Sequence, residues 1–553
     1  LERSLSLYTA LNETSRIPTI LMETSMVHAD IGDLESAKRS YLEVLKLRKA
    51  EGDLYAQAET LNNLGVLYHQ LGEYDLASEM FESGLACARK SRNQRAEGLI
   101  LTGLGDLYGE VEEFDVALES YQQAEVAASG LPGFFISNYL IIARAGLALS
   151  QGDVEKAVGL VKMFRKKMKA SPSAYERGHW NLIEGRLHLL KMEPRKAIPL
   201  LKECQDFFTR DGRGQETIWS TIWLTAAYEQ AGRREEACAQ IREVVSAGTT
   251  SNHVLIVAIR QANPWLKELQ ADKQIGRQLA GLFEKSQRLT ARLPSIRRTL
   301  RRHAQSIQVP PASLLIRAFG HPEVSVNGRS LTMSDWRTQS VRDLFFFFLL
   351  NQEMVTKDQL SDSLWPETSD SQILKARFKN EIYRLRRAAG KNVIVFEEEY
   401  YCFNRSLDYE YDVEAFDSHI LRARKAEDTN SRITHLQKAV DLVTGPYLMD
   451  MDAEWAVPER ERLNQLYVSA LEELAQLYLD TNQLDLCLMI CKVVLEKDPY
   501  HEVIYQMEMR AYAALGDRPA VARRYQACKK ALMEGLKMSP SLETEQIYRD
   551  LTL

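Results

Sequence analysis

The sequence predicts a mainly α-helical protein in which a small α+β domain lies between two arrays of paired helices. Three observations predict this: alanines recur every 40 residues in the N-terminal part, a strand, helix and hairpin order fills 312–416, and a 34-residue offset marks the C-terminal part. Periods of this length are typical of stacked helical hairpins. We therefore expect a solenoid over 1–250, a helical basic linker over 251–311, a winged helix-turn-helix domain over 312–416 and a second helical domain over 417–553.

The N-terminal repeat carries one small residue per unit. A large residue follows each alanine by four positions, and glycine precedes most of the alanines by five. A small side chain lets two helices approach closely, while the large one packs into the neighbouring unit. The alanines are Ala37, Ala77, Ala117, Ala157, Ala197 and Ala237; the large residues are Tyr41, Phe81, Tyr121, Val161, Leu201 and Ile241; the turn residues are Gly32, Gly72, Glu112, Gly152, Met192 and Gly232.

Two units are the most regular: LNNLGVLYHQLGEYDLASEMF at 61–81 and LTGLGDLYGEVEEFDVALESY at 101–121. They closely resemble tetratricopeptide repeats. Their longer period resembles that of the sensor solenoids of MalT-like regulators. The resemblance implies that the concave face binds an effector, either a small molecule or a partner protein. The alternative is a solenoid that serves only as a scaffold.

The linker is strongly basic near its end. The alanine register stops after Val244, and the prolines at 310 and 311 break the helical pattern. Five arginines precede them. They either touch DNA phosphate or lie solvated at a helix terminus, where the helix dipole favours them. These residues are Arg292, Arg297, Arg298, Arg301 and Arg302.

The segment 312–416 alternates short strands with three helices. Asn327 and Gly328 supply a tight turn between two strands, and Thr356 with Gln359 predicts a capped second helix. The first helix carries four consecutive phenylalanines, which favour core packing over a bound aromatic ligand. VIVF and YYCF then bracket three glutamates in a final hairpin. This order places the third helix where a helix-turn-helix presents its recognition element.

That third helix is SDSQILKARFKNEIYRLRRAAG, residues 369–390. Leu374, Phe378, Ile382, Leu385 and Ala389 form one apolar stripe. Ser369 with Gln372 predicts a capping-box start, and Gly390 predicts the end. Positions 375–391 hold seven basic residues and one acid, whereas the whole chain has a net charge of −6. A basic stripe alone is usually a solvated face, but its position in the order makes it a candidate DNA-recognition helix. The candidate DNA-binding residues are Lys375, Arg377, Lys379, Asn380, Tyr383, Arg384, Arg386 and Arg387.

The motifs LLIRAFGHPEVSVNGRSL, LSDSLWPE and FKNEIYRLRRAAG resemble, in this order, the OmpR-type winged helix of the SARP class of bacterial transcriptional activators. The resemblance implies one set of side chains that reads base edges in double-stranded DNA and another that anchors phosphates. The reading set is Lys379, Asn380, Tyr383 and Arg387; the anchoring set is Arg377, Arg384 and Arg386. The hairpin tip of this family often meets the minor groove, but three glutamates here would be repelled. Either this hairpin stays off the DNA, or it contacts a protein.

The C-terminal part repeats with an offset of 34 residues, as in Tyr478 and Tyr512 or Asn482 and Gly516. TGPYLMDMDAEWAVPERERL at 444–463 and LKMSPSLETEQIY at 536–548 resemble the bacterial transcriptional activator domain. That resemblance implies a role in dimerisation and activation. A helical buttress without a separate role is the alternative.

Several function classes find no support in the sequence. The motifs GxxxxGK[ST], GxGxxG after a strand, HExxH and GxSxG do not occur, so we expect no enzyme, no cofactor and no metal. Seven scattered cysteines favour reduced thiols in the cytoplasm. A membrane-spanning apolar run is absent. The chain starts with Leu inside a helical pattern, so we expect a fragment of a longer protein, with an ATPase module ahead of the repeats as one candidate for the missing part.

These observations predict a DNA-binding transcription activator in which the solenoid senses an effector and controls the winged helix. Its expected partners are double-stranded DNA, RNA polymerase, the effector and a second copy of the chain in a homodimer. The alternative hypothesis is a protein-interaction scaffold in which the winged helix docks protein rather than DNA.

Overall fold

The computed structural model describes residues 16–131, 136–167, 173–246, 252–272, 275–366, 370–426 and 428–552. The chain divides into two compact units, Leu1–Pro310 and Pro311–Leu553. It is mainly helical, as predicted, and the described strands all lie in the second unit. Within the described residues, no helix is both long and apolar enough to cross a lipid bilayer.

The first unit is built from helical hairpins, as the 40-residue period predicts. Consecutive helices pack in pairs, α1 with α2 through to α11 with α12. The helices are α1 (Ile17–Asp30), α2 (Leu34–Glu51), α3 (Leu54–Leu71), α4 (Tyr74–Ser91), α5 (Gln94–Glu110), α6 (Phe114–Ala128), α7 (Ile136–Ser150), α8 (Val154–Lys167), α9 (Ala174–Leu190), α10 (Pro194–Arg210), α11 (Gly214–Gln230) and α12 (Arg234–Ser246).

The repeated alanines and large residues are buried, and the residues between the helices form turns, as predicted. All six alanines are fully buried, and the large residues that follow them are at most 6% exposed. The turn residues share a left-handed backbone, with φ between 59° and 85°. Glycine adopts this conformation without a steric cost. Glu112 and Met192 adopt it as well, so the hairpin geometry is kept where glycine is absent.

A second small position explains the close packing inside each hairpin. It lies sixteen residues before each large residue, and a Cβ added at Gly105 would lie 2.3 Å from the ring of Tyr121. The corresponding side chains are small throughout the solenoid, which gives the large residue room on the preceding helix. They are Ser25, Gly65, Gly105, Ala145, Gly185 and Thr225.

Two further helices complete the first unit. Helix α13 (His253–Leu266) starts at Asn252, whose side chain accepts hydrogen bonds from the next turn, and it packs against α11 and α3. After a 3₁₀ turn, Lys267–Ala271, helix α14 (Gly276–His303) packs against α13 and α4. The segment predicted as a linker is therefore largely folded onto the solenoid.

The structure corrects both expectations for Arg297, Arg298 and Arg301, whereas Arg292 is exposed. Arg297 donates to the carbonyl of Val111 and pairs with Glu112, and Arg301 pairs with Glu113. Arg298 is buried. These contacts use carboxylates on the turn between α5 and α6, so long-range pairing within the unit replaces both DNA contact and simple solvation.

The second unit begins with the mixed domain. Strands β1 (Leu314–Arg317), β2 (Glu323–Val326) and β3 (Arg329–Ser330) form antiparallel pairs, and β7 (Tyr409–Tyr411) joins β1 in parallel. A second sheet has the order β4 (Val355–Thr356), β6 (Tyr400–Phe403), β5 (Ile394–Glu397). Short helix α15 (Met333–Trp336) precedes α16 (Gln339–Leu350), α17 (Lys357–Leu364) and α18 (Ser371–Ala389). This order matches the predicted winged helix-turn-helix, with β4, β7 and α15 as additions.

The helices that follow β7 pack on the mixed domain and share its hydrophobic core. One contiguous cluster of buried side chains runs from Leu314 in β1 to Ala511, and it includes all four phenylalanines of α16. The amide of Leu448 donates to the carbonyl of Ala318, and the ring of Phe347 meets Trp455 edge-on. These helices are α19 (Asp412–Lys425), α20 (Thr429–Leu442), α21 (Val457–Asp480), α22 (Leu484–Lys497), α23 (Glu502–Ala514), α24 (Arg518–Ala531) and α25 (Leu542–Thr552).

Candidate nucleic-acid interface

Helix α18 has marked ends. Ser369, the predicted cap, lies outside the described residues, and the side chain of Asp370 accepts from the amides of Gln372 and Ile373 instead. An aspartate here satisfies free amides and favours the positive end of the helix dipole. Gly390 ends the helix with φ of 121°, as predicted from its position. The helix is thus fixed at both termini by local chemistry.

The apolar stripe of α18 faces the core of the mixed domain. Phe378, Ile382, Leu385 and Ala389 are buried, and Leu374 packs against the same cluster. Phe378 meets Trp365 and Tyr401 edge-on, which ties the helix to α17 and to β6. The opposite side of α18 is therefore turned away from the core.

Six of the eight candidate DNA-binding residues are exposed on that opposite side. Their spacings of three and four residues place them along adjacent helical turns. Tyr383 at their centre is 65% exposed. We call this set the basic face: Lys375, Lys379, Asn380, Tyr383, Arg384 and Arg387. It offers four positive charges, an amide and a phenol to an approaching surface.

Arg377 has a partner within the domain. Its guanidinium lies 4.8 Å from the ring centre of Trp365 and 3.4 Å from the carboxylate of Glu381. The buried carboxylate of Glu381 also accepts from Ser340, whose hydroxyl accepts from the indole of Trp365. This network joins α16, α17 and α18, so Arg377 helps to hold the helix-turn-helix together.

Arg386 is half-buried and faces the hairpin β5–β6, which we call the wing. Its Nη2 donates to the carbonyl of Ile394 at 2.9 Å. This contact fixes the wing against the last turns of α18. The structure thus separates Arg377 and Arg386 from the basic face, a distinction that charge counting along the sequence does not make.

The wing carries its acids at the tip, as predicted. Glu398 and Glu399 form a two-residue turn with φ of 48° and 72°, and together with Glu397 they are exposed. Phe396 and Tyr400 on either side are also exposed, at 48% and 41%. The tip therefore combines negative charge with two aromatic rings.

One acid of the domain is perturbed by its surroundings. Burial raises the pKa of Asp343 in α16 to about 6, against the opposing influence of Arg342, and Glu381 adds to the rise. Asp343 lies in α16 and is not part of the basic face. Among the described residues, no group of three or more His, Cys, Asp or Glu side chains is arranged to hold a metal ion.

Comparisons with protein families match two parts of the chain. The bacterial transcriptional activator domain matches residues 411–552, and the tetratricopeptide repeat matches residues 16–90 and 57–125. The predicted activator domain and the tetratricopeptide character of the first repeats are thereby confirmed. The matches support a transcriptional regulator with a repeat region. A search of curated proteins gave no match.

Solved structures align with the chain at low identity and low TM-score. Mycobacterium tuberculosis EmbR in complex with a low affinity phosphopeptide is 18% identical over 43% of this chain and 65% of that chain, with a TM-score of 0.37. Naa15/Naa10 bound to HypK-THB is 14% identical over 93% and 63%, with a TM-score of 0.22. The P58(IPK) TPR domain is 11% identical over 96% and 98%, with a TM-score of 0.20. The chain spans less than two thirds of the length of the first two structures.

Proposed function

We propose that the chain is a cytoplasmic, DNA-binding transcription activator of the SARP type, in which α18 is the recognition helix of an OmpR-type winged helix. One observation carries this proposal: the basic face is exposed along a helix whose opposite side is locked into the core. Asn380 and Arg387 can donate to purine edges in the major groove, while Lys375 and Arg384 neutralise phosphates. We favour double-stranded DNA over an acidic protein surface as the partner of the basic face, because the major groove accepts a whole side of a helix.

Arg377 and Arg386 take a different role in this proposal. Both are committed to partners inside the domain, so they orient the recognition helix and the wing. Direct DNA contact then rests on the six residues of the basic face. A homodimer on repeated half-sites would double this contact area.

A mobility-shift experiment with genomic DNA fragments tests the proposal. Replacing Lys379, Arg384 and Arg387 with alanine should lower the affinity at least 100-fold, since each lost contact weakens binding by about 1–3 kcal/mol. The salt dependence should also flatten, by about 0.9 in log–log slope for each lost phosphate contact. The matched control removes three exposed lysines elsewhere in the same unit, Lys492, Lys529 and Lys530. Equal losses in both triple variants would reject α18 as the DNA reader.

The wing supports a second partner. Its exposed aromatic rings beside three glutamates suit a basic protein surface and oppose phosphate, so we assign to it the contact with RNA polymerase. Phe396→Ala with Tyr400→Ala should abolish polymerase recruitment in a reconstituted transcription assay while leaving the mobility shift unchanged. If recruitment persists, the polymerase contact lies elsewhere. If DNA binding is lost instead, the wing belongs to the DNA interface.

A further inference from the structure

The solenoid encloses a cleft of about 430 Å³. The first helices of five successive hairpins line it: α3, α5, α7, α9 and α11. Helix α13 adds His253, Val254 and Gln261 to its wall. A volume of this size is typical of small-molecule sites. The cleft therefore has both the dimensions of a ligand pocket and a wall made by the segment that follows the repeats.

One wall of the cleft combines carboxylates with aromatic rings. Asp106 accepts hydrogen bonds from the phenols of Tyr121 and Tyr139, at 2.6 and 2.9 Å. Further along, the phenol of Tyr175 donates to Glu216 at 3.3 Å. Each carboxylate oxygen has more than one lone pair, so both acids retain acceptor capacity after these bonds are made.

His179 lies beside two of the tyrosines that donate to these acids. Its ring stands edge-on to Tyr175 and Tyr139, with centroid distances of 4.6 and 6.2 Å. Burial lowers its pKa to about 4, helped by Arg213, so the imidazole is neutral near pH 7. Its buried Nε2 makes no hydrogen bond with any described residue, and Glu216 is 4.0 Å away. An unpartnered buried nitrogen is costly, and a bound ligand that exchanged a hydrogen bond with it would remove that cost.

The charges of the lining favour a cation over an anion. Glu110 is offset by His69, whose Nε2 lies 3.2 Å from its carboxylate. Asp106 and Glu216 remain as acids, and Arg186 is the permanently charged base among the lining residues. Arg213 stands just outside the lining, 5.5 Å from the ring centre of Tyr175, and its charge is paired with Asp211 and Asp30. Arg186 is itself stacked 4.6 Å from the ring centre of Trp223 and donates to Gln261. Arg186 is therefore already engaged, and it lies about two helical turns along α9 from His179.

We propose that this cleft binds a small organic amine, with its ammonium group between Asp106 and Glu216 and its body against the rings of Tyr139 and Tyr175. Carboxylates with aromatic faces are the chemistry that recognises such cations. The proposal names the effector class for the regulator proposed above, and it rests on that function only for its regulatory consequence. Binding would tighten the packing of α13, because that helix forms part of the wall.

Calorimetric titration of the full chain with matched probes tests the ligand class. Tryptamine and putrescine serve as cations, indole-3-ethanol and 1,4-butanediol as their neutral analogues, and indole-3-acetate as an anion. At least one cation should bind with Kd below about 1 mM, at least tenfold tighter than its neutral analogue, and the anion should not bind. The proposal is overturned if neither cation binds, if a neutral analogue binds equally well, or if the anion binds best.

Variants locate the site. Glu216→Gln should weaken binding of the amine at least tenfold. If circular dichroism shows that this variant is misfolded, Asp106→Asn tests the same site and should weaken binding as well. Glu203→Gln, on the exposed side of α10, is the matched control and should bind as the wild type does. Unchanged affinity in Glu216→Gln and Asp106→Asn would place the amine elsewhere. A mobility shift on the same samples separates the two proposals, since DNA binding without amine binding rejects only the ligand, and the reverse rejects only the DNA role.

Discussion

The carboxylate of Glu110, the last residue of α5, lies 3.3 Å from Nε2 of His253, the first residue of α13. The phenol of Tyr74 donates to the same carboxylate at 2.6 Å. Gly72 leaves room for this arrangement, because a Cβ there would lie 2.5 Å from the imidazole. Glu110 therefore joins the start of α13 to two hairpins of the solenoid.

Replacing Glu110 with glutamine should release the start of α13. The variant loses a charge that is shared by two histidines and a tyrosine, at a cost of about 2–3 kcal/mol. Hydrogen exchange should become faster in α13 and remain unchanged in α9 and α10. The control is Glu125→Gln, which breaks an exposed pair with Arg144 and should cost at most about 1 kcal/mol. Equal protection of α13 in both variants would show that Glu110 does not hold it.

The same cluster should make stability depend on pH. Burial alone would lower the pKa of His69, but the adjacent Glu110 raises it overall. Burial alone would raise the pKa of Glu110, yet His69 and His253 hold it well below its usual value.

The contributions of His69 and Glu110 to folding stability depend on pH with opposite signs. The stabilisation by His69 is complete below its ordinary pKa of 6.5 and is lost as pH rises through its folded pKa. The stabilisation by Glu110 is present above its ordinary pKa of 4.5 and is lost as pH falls through its folded pKa. Between pH 6 and 9, the melting temperature of the wild type should therefore fall more than that of His69→Gln. Parallel curves would contradict the assigned pairing.

Gly105→Ala should destabilise the solenoid by about 1–3 kcal/mol, the usual cost of overpacking a core. The added methyl would collide with the ring of Tyr121, which cannot swing away because its phenol is bound to Asp106. Gly159→Ala in α8 is the matched control, since a Cβ there meets nothing within 4 Å. It should stabilise by up to about 1 kcal/mol. Urea unfolding of both variants measures the difference, and a neutral Gly105→Ala would show that the hairpin can open.

Glu398→Asn together with Glu399→Gly should stabilise the wing by about 1 kcal/mol, because Asn-Gly suits a turn in which both residues have positive φ. Chemical denaturation of the second unit measures this gain. Glu398→Gln with Glu399→Gln removes the same two charges but keeps the unfavourable backbone, so it should show no such gain. If both double variants stabilise equally, charge repulsion rather than backbone strain sets the energy of the tip.

Adjacent arginines on α18 should behave differently. Arg386→Gln breaks the bond to the carbonyl of Ile394 and should cost about 1–2 kcal/mol of stability. Arg387→Gln should change stability by less than about 0.5 kcal/mol but weaken DNA binding at least tenfold. Thermal unfolding and mobility shift on both variants give the comparison. Reversed effects would exchange the roles assigned to the two side chains.

Periodic features of the fold could be predicted from the sequence because the physics behind them is local. Burial of Ala37 and its equivalents follows from a period of 40, and the buried side of α18 follows from spacings of three and four. The turn at Glu112 and Met192 kept its geometry although glycine is absent, since the flanking helices impose it. Two-residue strand β4 and three-residue strand β7 were missed, because pairing partners far along the chain define them rather than any local pattern.

Long-range contacts limited what the sequence could say about the site. Arg377 and Arg386 look like any other basic residue on α18 until Trp365, Glu381 and the wing are placed beside them. The resemblance predicted effector binding on the concave face of the solenoid, but the residues that line the cleft could not be assigned from the sequence, since they come from five hairpins and α13. A signal was present nonetheless: acids at Asp106 and Glu110 on a helix rich in buried residues have no local partner to neutralise them.

The shared core of the second unit makes the stability of the mixed domain depend on the helices that follow it. Leu448 and Trp455, which belong to the matched activator domain, complete the packing of Ala318 and Phe347 in the mixed domain. The unit should therefore melt in a single cooperative transition. Under the proposed function, a substitution deep in α21 or α22 would abolish DNA binding from a distance, and genetic screens for loss of operator binding should recover such substitutions far from α18.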